Sequence, residues 1–147
     1  MITFIRHCEC YPIDKYGVPN YMRVNPPLTR QGKMRASKLC GTYDYVIISP
    51  LNRCLETFIY SQINGKRIVS DFFRELIMCP GDFMQNDPPE ITADTMESFK
   101  KRIDQGMNFL KTLSGNICVI THSEWMKEAL GLSYIPDYGA SIEYTLN

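Results

Sequence analysis

Ile2-Thr3-Phe4-Ile5-Arg6-His7 opens the chain, and Ile117-Cys118-Val119-Ile120-Thr121-His122 repeats its form near the other end. Neither apolar run alternates with polar residues, which is the mark of a short strand covered on both faces. The runs predict buried strands over 2–6 and 117–121. Each is closed by one of the only two histidines in the chain, His7 and His122. Two scarce titratable rings, placed alike at two strand ends, point to one shared site.

Working outward, Thr29 is a helix N-cap for a segment ending near Gly41, and Tyr45-Val46-Ile47-Ile48 reads as another buried strand. A helix is predicted from Leu51 to about Ser61, and a short strand at Arg67-Ile68-Val69. Asp94-Thr95-Met96-Glu97 has capping-box character, and Met96, Phe99, Ile103, Met107, Leu110 and Leu113 recur at helical spacing. A helix over about 123–130 and an edge strand over 142–146 complete the pattern. This alternation predicts an α/β fold, a three-layer α/β/α arrangement with a mostly parallel central sheet. In such sheets ligands bind beyond the carboxyl ends of the strands, where His7, Ser49 and His122 fall. Residues 10–25, broken by Pro12, Gly17 and Pro19, and 71–93, with Pro80, Gly81, Pro88 and Pro89, are the long irregular stretches. Segments of that length inside a domain are usually functional or disordered.

With 147 residues the chain is read as one domain, 1–147, long enough for a core without disulfide staples. Sixteen basic and sixteen acidic residues cancel, so global charge draws it neither to nucleic acid nor to a membrane. No run approaches the roughly 20 apolar residues of a membrane span, and the N-terminus lacks a basic stretch with a long apolar core. The expectation is a cytoplasmic protein. Its six cysteines are scattered without metal-binding spacing, so reduced thiols are expected and neither a metal nor a cofactor is implied.

Arg6-His7 closes the first strand, and Ser49-Pro50-Leu51-Asn52-Arg53-Cys54-Leu55-Glu56-Thr57 leads from the second strand into a helix. Two guanidinium forks can neutralise a phosphoryl group during transfer. Nearby cations also disfavour a charged imidazole, so His7 should be neutral and nucleophilic at physiological pH.

In this joint pattern the chain resembles the histidine phosphatase superfamily, the phosphoglycerate mutase-like family, at five places in order. Arg6-His7-Cys8-Glu9 stands for the family's R-H-G-E, and Pro27-Leu28-Thr29-Arg30-Gln31-Gly32 for P-L-T-x-x-G. Ser49 to Thr57 stands for S-x-L-x-R-A-x-x-T, Phe73-Arg74-Glu75 for a motif like L-R-E, and Thr121-His122-Ser123 for T-H-S.

The resemblance implies a metal-independent, two-step phosphoryl transfer. His7 would become phosphohistidine, and Arg6, Arg53, His122 and Ser123 would surround the phosphoryl oxygens. Glu75 would protonate the leaving oxygen and then help activate water. Glu9 and Glu56 would hold the arginines in place, and Arg74 would lie on the surface. Ser123 would offer its backbone N–H to phosphate or cap the helix that follows. The substrate would be a small phosphorylated metabolite or a phosphorylated protein side chain, with Lys15, Arg23, Arg30 and Lys33 available to add charge at one rim. The short chain has few segments with which to exclude water, which favours hydrolysis over the return of the phosphoryl group made by a mutase. A silent phosphate-binding module of the same fold, and a metal or redox protein using His7, Cys8 and His122, are the rivals.

The chain departs from the family at four places. Cys8 stands for the usual glycine and Cys54 for the usual alanine. Tyr11-Pro12-Ile13-Asp14 lacks a customary asparagine, and Pro80-Gly81-Asp82-Phe83 stands where W-E-G is often found. Between Arg6 and Arg53, a Cys8 thiol of lowered pKa would be an oxidation switch; a buried thiol would be filler.

Overall fold

The computed structural model describes residues 1–11, 15–17 and 19–146; Pro12, Ile13 and Asp14 lie outside them. Nine regular elements follow one another: β1 (Ile2–Arg6), α1 (Arg30–Ala36), β2 (Cys40–Ile48), α2 (Asn52–Tyr60), β3 (Gln62–Val69), α3 (Met96–Leu110), β4 (Ile117–Thr121), α4 (Ser123–Leu130) and β5 (Ser141–Tyr144). Two single 3-10 turns, Asp71–Phe73 and Pro80–Asp82, punctuate the long stretch between β3 and α3.

The strands form one sheet in the order β3-β2-β4-β1-β5. All neighbours are parallel except β5, which closes the edge antiparallel to β1. Every residue of β4 is buried, as a central strand covered on both faces requires. Successive side chains of β1 and β4 feed opposite cores. Phe4 and Val119 join Phe99, Ile103, Trp125 and Met126 of α3 and α4 on one face. Ile5 and Ile120 join Cys54 of α2 on the other, where α1 packs beside α2. The fold is therefore the expected three-layer α/β/α one.

The parallel register aligns Arg6 with Thr121, so His7 and His122 leave the sheet side by side. After β1 the chain turns to the face of α1 and α2, and after β4 to the face of α3 and α4. That reversal between adjacent strands opens a crevice at their carboxyl ends.

Several boundaries differ from the sequence reading. The first helix stops at Ala36, because Leu39 already accepts a hydrogen bond from Gln62 N–H and β2 begins at Cys40. Both β2 and β3 start earlier than predicted, pairing Cys40–Thr42 with Gln62–Asn64 before a bulge between Thr42 and Tyr45. The N-cap of α3 is Thr95, and its capping box is completed by Ser98 rather than Glu97. The last strand runs over 141–144 rather than 142–146. Among the described residues, no helix is long and apolar enough to cross a membrane.

Candidate active site

The backbone beyond β1 is fixed from two directions. His7 N–H donates to Thr121 O at 3.0 Å, and Cys8 N–H donates to Thr57 Oγ1 at 3.0 Å. Thr57 in turn donates to Arg53 O at 2.7 Å, one helical turn earlier in α2. The spacing from Arg53 to Thr57 thus ties the histidine segment to the arginine helix. The first turn of α2 has no side-chain cap of its own; Asn25 Oδ1 accepts from Asn52 N–H at 2.8 Å instead. Gly32 of α1 faces Glu9, and Glu9 Oε1 accepts from the Thr29 hydroxyl at 2.8 Å. The two short motifs around Glu9 and Gly32 are therefore one structural contact.

His7 is 3% exposed, and its Nδ1 lies 2.8 Å from Cys8 O. A carbonyl can only accept, so Nδ1 carries the proton and the lone pair of the neutral ring is on Nε2. Burial, then the Arg53 and Arg6 charges, push the pKa of His7 well below its ordinary value. The ring is neutral at physiological pH.

A cavity of about 470 Å³ is lined by Arg6, His7, Arg53, Glu75 and Ser123 at one end. Arg6 donates from Nη1 to Pro136 O at 2.7 Å. Arg53, 2% exposed, donates from Nη1 to Gly81 O at 2.8 Å and pairs through Nη2 with Asp82 Oδ1 at 2.9 Å. Arg6 Nε, Arg53 Nε and His122 Nδ1 are buried polar atoms without a partner among the described residues. Buried polar atoms of this kind are costly unless they find a hydrogen-bond partner.

His122 does not line the cavity. It is fully buried, in edge-to-face contact with His7 at 5.1 Å between ring centroids, and its Nε2 lies 2.8 Å from Ser49 Oγ and 3.4 Å from Cys54 Sγ. Burial, together with the charge of Arg53, holds it neutral as well. It is also the N-cap of α4, which makes Ser123 the first helical residue rather than the cap.

Glu75 is placed by the stretch after β3. Thr121 Oγ1 donates to Phe73 O at 2.7 Å, Trp125 Nε1 to Phe72 O at 2.9 Å, and Arg102 Nη2 to Glu75 O at 2.8 Å. The carboxylate then accepts from Glu124 N–H at 3.2 Å and Trp125 N–H at 3.1 Å, the donors that the first turn of α4 leaves unpaired. Despite these donors, burial pushes its pKa from 4.5 up to about 7. A carboxyl poised there can give a proton near neutral pH and take one back.

Three expectations are corrected here. Arg74 is buried rather than on the surface; its guanidinium holds Asp87 through two bonds of 2.9 Å and donates to Asp82 O, fastening the 71–93 stretch to itself. Among the described residues, Arg53 is held by Asp82 and Gly81, not by Glu9 or Glu56, since Glu9 is engaged by Thr29. Lys15, Arg23, Arg30 and Lys33 do not line the cavity. The sequence reading missed Asp82, whose second oxygen accepts from Met78 N–H and Cys79 N–H. Its only sequence signal is its position in the stretch that replaces W-E-G.

Cys8 is fully buried against Leu28, Cys10 and Ala36, and burial raises its thiol pKa. Its φ is not positive, so a side chain is accommodated without backbone strain. A buried thiol of raised pKa lacks the thiolate character that the switch reading requires. Among the described residues, no three His, Cys, Asp or Glu side chains converge as metal ligands.

Similarity to known proteins rests on the backbone. No family profile and no curated protein matches the sequence. Solved structures do match. A phosphoglycerate mutase from Thermus thermophilus superposes with a TM-score of 0.66 at 17% identity, covering 95% of this chain and 90% of that one. A candidate alpha-ribazole-5'-P phosphatase from Escherichia coli gives 0.68 at 20% identity, over 88% and 77%. The product of an open reading frame from Mycobacterium tuberculosis gives 0.63 at 14%, over 95% and 88%. The fold is phosphoglycerate mutase-like.

Proposed function

We propose that this chain belongs to the histidine phosphatase superfamily and hydrolyses a phosphomonoester, of a small metabolite or a protein side chain, through a phosphohistidine. The observation that carries the reading is His7, pinned through Nδ1 to the Cys8 carbonyl. It stands in a cleft that also presents Arg6, Arg53 and the protonatable Glu75.

In the first step the Nε2 lone pair of His7 attacks phosphorus and the ester P–O bond breaks. Glu75 gives its proton to the departing oxygen. In the second, water attacks the phosphohistidine, Glu75 takes the water proton, and the P–N bond breaks to return neutral His7 and inorganic phosphate. Arg6 and Arg53 stabilise charge on the equatorial oxygens, which is where most phosphoryl-transfer catalysis lies. Ser123, at the start of α4, is a further phosphate contact. His122 acts from behind His7, completing the neutral, hydrogen-bonded wall against which the nucleophile is held.

Hydrolysis is favoured over a mutase reaction because the mouth of the cavity is bordered by exposed side chains, Tyr21 at 50% and Met78 at 68% exposure, which leave water a path to the phosphohistidine. The test combines rapid-quench trapping of labelled phosphohistidine with p-nitrophenyl phosphatase rates for the wild type and His7→Ala. Acid-labile label in the wild type alone, with a rate loss of roughly a thousandfold or more, is the expected result. Equal rates and no label would mean a phosphate-binding module.

A further inference from the structure

Away from His7 the cavity changes character. Tyr11, Tyr21 and Tyr138 line it with Leu76, Met78 and Cys79. The Tyr138 ring begins at the reacting end, its centroid 4.0 Å from the Arg6 guanidinium carbon and 5.8 Å from the His7 ring. Tyr11 and Tyr21 meet edge to face at 4.7 Å, and the Arg53 guanidinium carbon lies 5.8 Å from the Tyr11 centroid. The Tyr11 ring is held in place. Its hydroxyl contacts Cys79 Sγ at 3.9 Å, and it packs so tightly over Gly81 that a Cβ there would come within 2.6 Å of the hydroxyl oxygen.

The charges of the lining point the same way. Its only cations among the described residues are Arg6 and Arg53, which both flank His7, whereas Asp82 and Glu124 add carboxylates. A ligand with a second phosphate or a carboxylate would find acidic groups and no unspent cation beyond the first anion site. An aromatic group would instead meet three rings, a thioether and a leucine, surfaces suited to stacking and to sulfur–aromatic contact.

We propose that the substrate carries, on the ester side of its phosphate, a flat aromatic group with no second anionic group, bound among Tyr11, Tyr21 and Tyr138. This rests on the phosphate end lying where the proposed function puts it. Phosphonates that cannot be hydrolysed separate ring recognition from leaving-group reactivity and from turnover. The probes are 2-phenylethyl-, 2-cyclohexylethyl- and 2-carboxyethylphosphonate, titrated calorimetrically into the wild type, Tyr21→Phe and Tyr21→Ala.

The phenyl compound should bind roughly tenfold more tightly than the carboxyl compound and severalfold more tightly than the cyclohexyl one, the scale of aromatic pairing. Tyr21→Phe should keep the phenyl-to-cyclohexyl ratio, and Tyr21→Ala should bring it toward one. Equal binding of the phenyl and carboxyl compounds, or a ratio indifferent to Tyr21→Ala, would overturn the inference. So would failure of all three to bind. If the aromatic preference holds but no phosphohistidine can be trapped, the substrate inference stands and the hydrolytic reading falls.

Discussion

Replacing Glu75 with glutamine keeps the shape of the side chain and removes its titration, so the pH dependence of stability should change in a calculable way. In the unfolded chain the carboxyl titrates near 4.5, and in the folded protein burial raises this to about 7, against the opposing influence of the Leu76 and Glu124 N–H groups and the Arg53 charge. Between those values the folded state holds a proton that the unfolded state has released. Unfolding therefore liberates a proton, and stability is full below about pH 4.5 and falls as pH rises through 7. At about 1.4 kcal/mol per tenfold change in proton affinity, the loss comes to about 3 kcal/mol. That is a large share of the roughly 5–15 kcal/mol that stabilises an ordinary domain.

The assay is urea unfolding of wild type and Glu75→Gln at intervals from pH 4.5 to 8.5. His7 and His122 act with the opposite sign, because the unfolded chain protonates them first, but they are present in both proteins and drop out of the difference. The wild type should lose about 3 kcal/mol relative to the variant across the range. A difference flat to within about 0.5 kcal/mol would refute the reasoning, and would mean that the N–H donors of α4 outweigh burial and keep the carboxyl ionised throughout.

Two further outcomes follow from the packing around the site. Asp82→Asn leaves the buried Arg53 charge without its partner, so the protein should lose about 3 kcal/mol of stability while inorganic phosphate binds severalfold more tightly in a calorimetric titration; weaker binding would mean that Asp82 positions Arg53 rather than competes with the anion. Gly32→Ala sets a Cβ against the Glu9 carbonyl oxygen, and because that neighbour is backbone it cannot swing aside. Urea unfolding should show a loss of about 1–3 kcal/mol, and an unchanged midpoint would mean that α1 shifts without cost.

The elements that place the histidines were legible because each carries its own signal. Ile2–Arg6 and Ile117–Thr121 are buried on both faces and read as apolar runs, and α3 reads through the spacing of Phe99, Ile103 and Leu110, all of them buried. The early halves of β2 and β3 were illegible for the opposite reason. Gln62-Ile63-Asn64-Gly65-Lys66 is polar, includes a glycine, and lies at a sheet edge where pairing rather than burial makes the strand. Motif residues could be found from sequence, but their partners could not. Asp82 reaches Arg53 across 29 positions and Arg102 reaches the backbone of Glu75 across 27. No local periodicity encodes such pairs, and the buried site of Arg74 is likewise invisible until Asp87 and the Asp82 carbonyl are folded around it.

The charges around His7 make one proton serve two ends. Both histidines are neutral, so the floor of the cleft holds the two positive charges of Arg6 and Arg53, the negative charge of Asp82, and Glu75 in whichever state the pH sets. Ionisation of Glu75 lowers the net charge of the lining, to which Glu124 adds a further carboxylate, by one unit. In the proposed reaction, the proton that the leaving oxygen requires is therefore also one that strengthens the attraction of the arginines for a phosphate. A bound phosphate, being negative, strengthens the hold of Glu75 on that proton by the same linkage. Under that proposal, phosphate binding and readiness for the first step should rise together, and both should decline above about pH 7, where Glu75 gives its proton up. Asp82 sets the level of this balance. By cancelling one arginine it keeps the positive charge of the floor small, so the ionisation of a single carboxyl weakens its attraction for an anion.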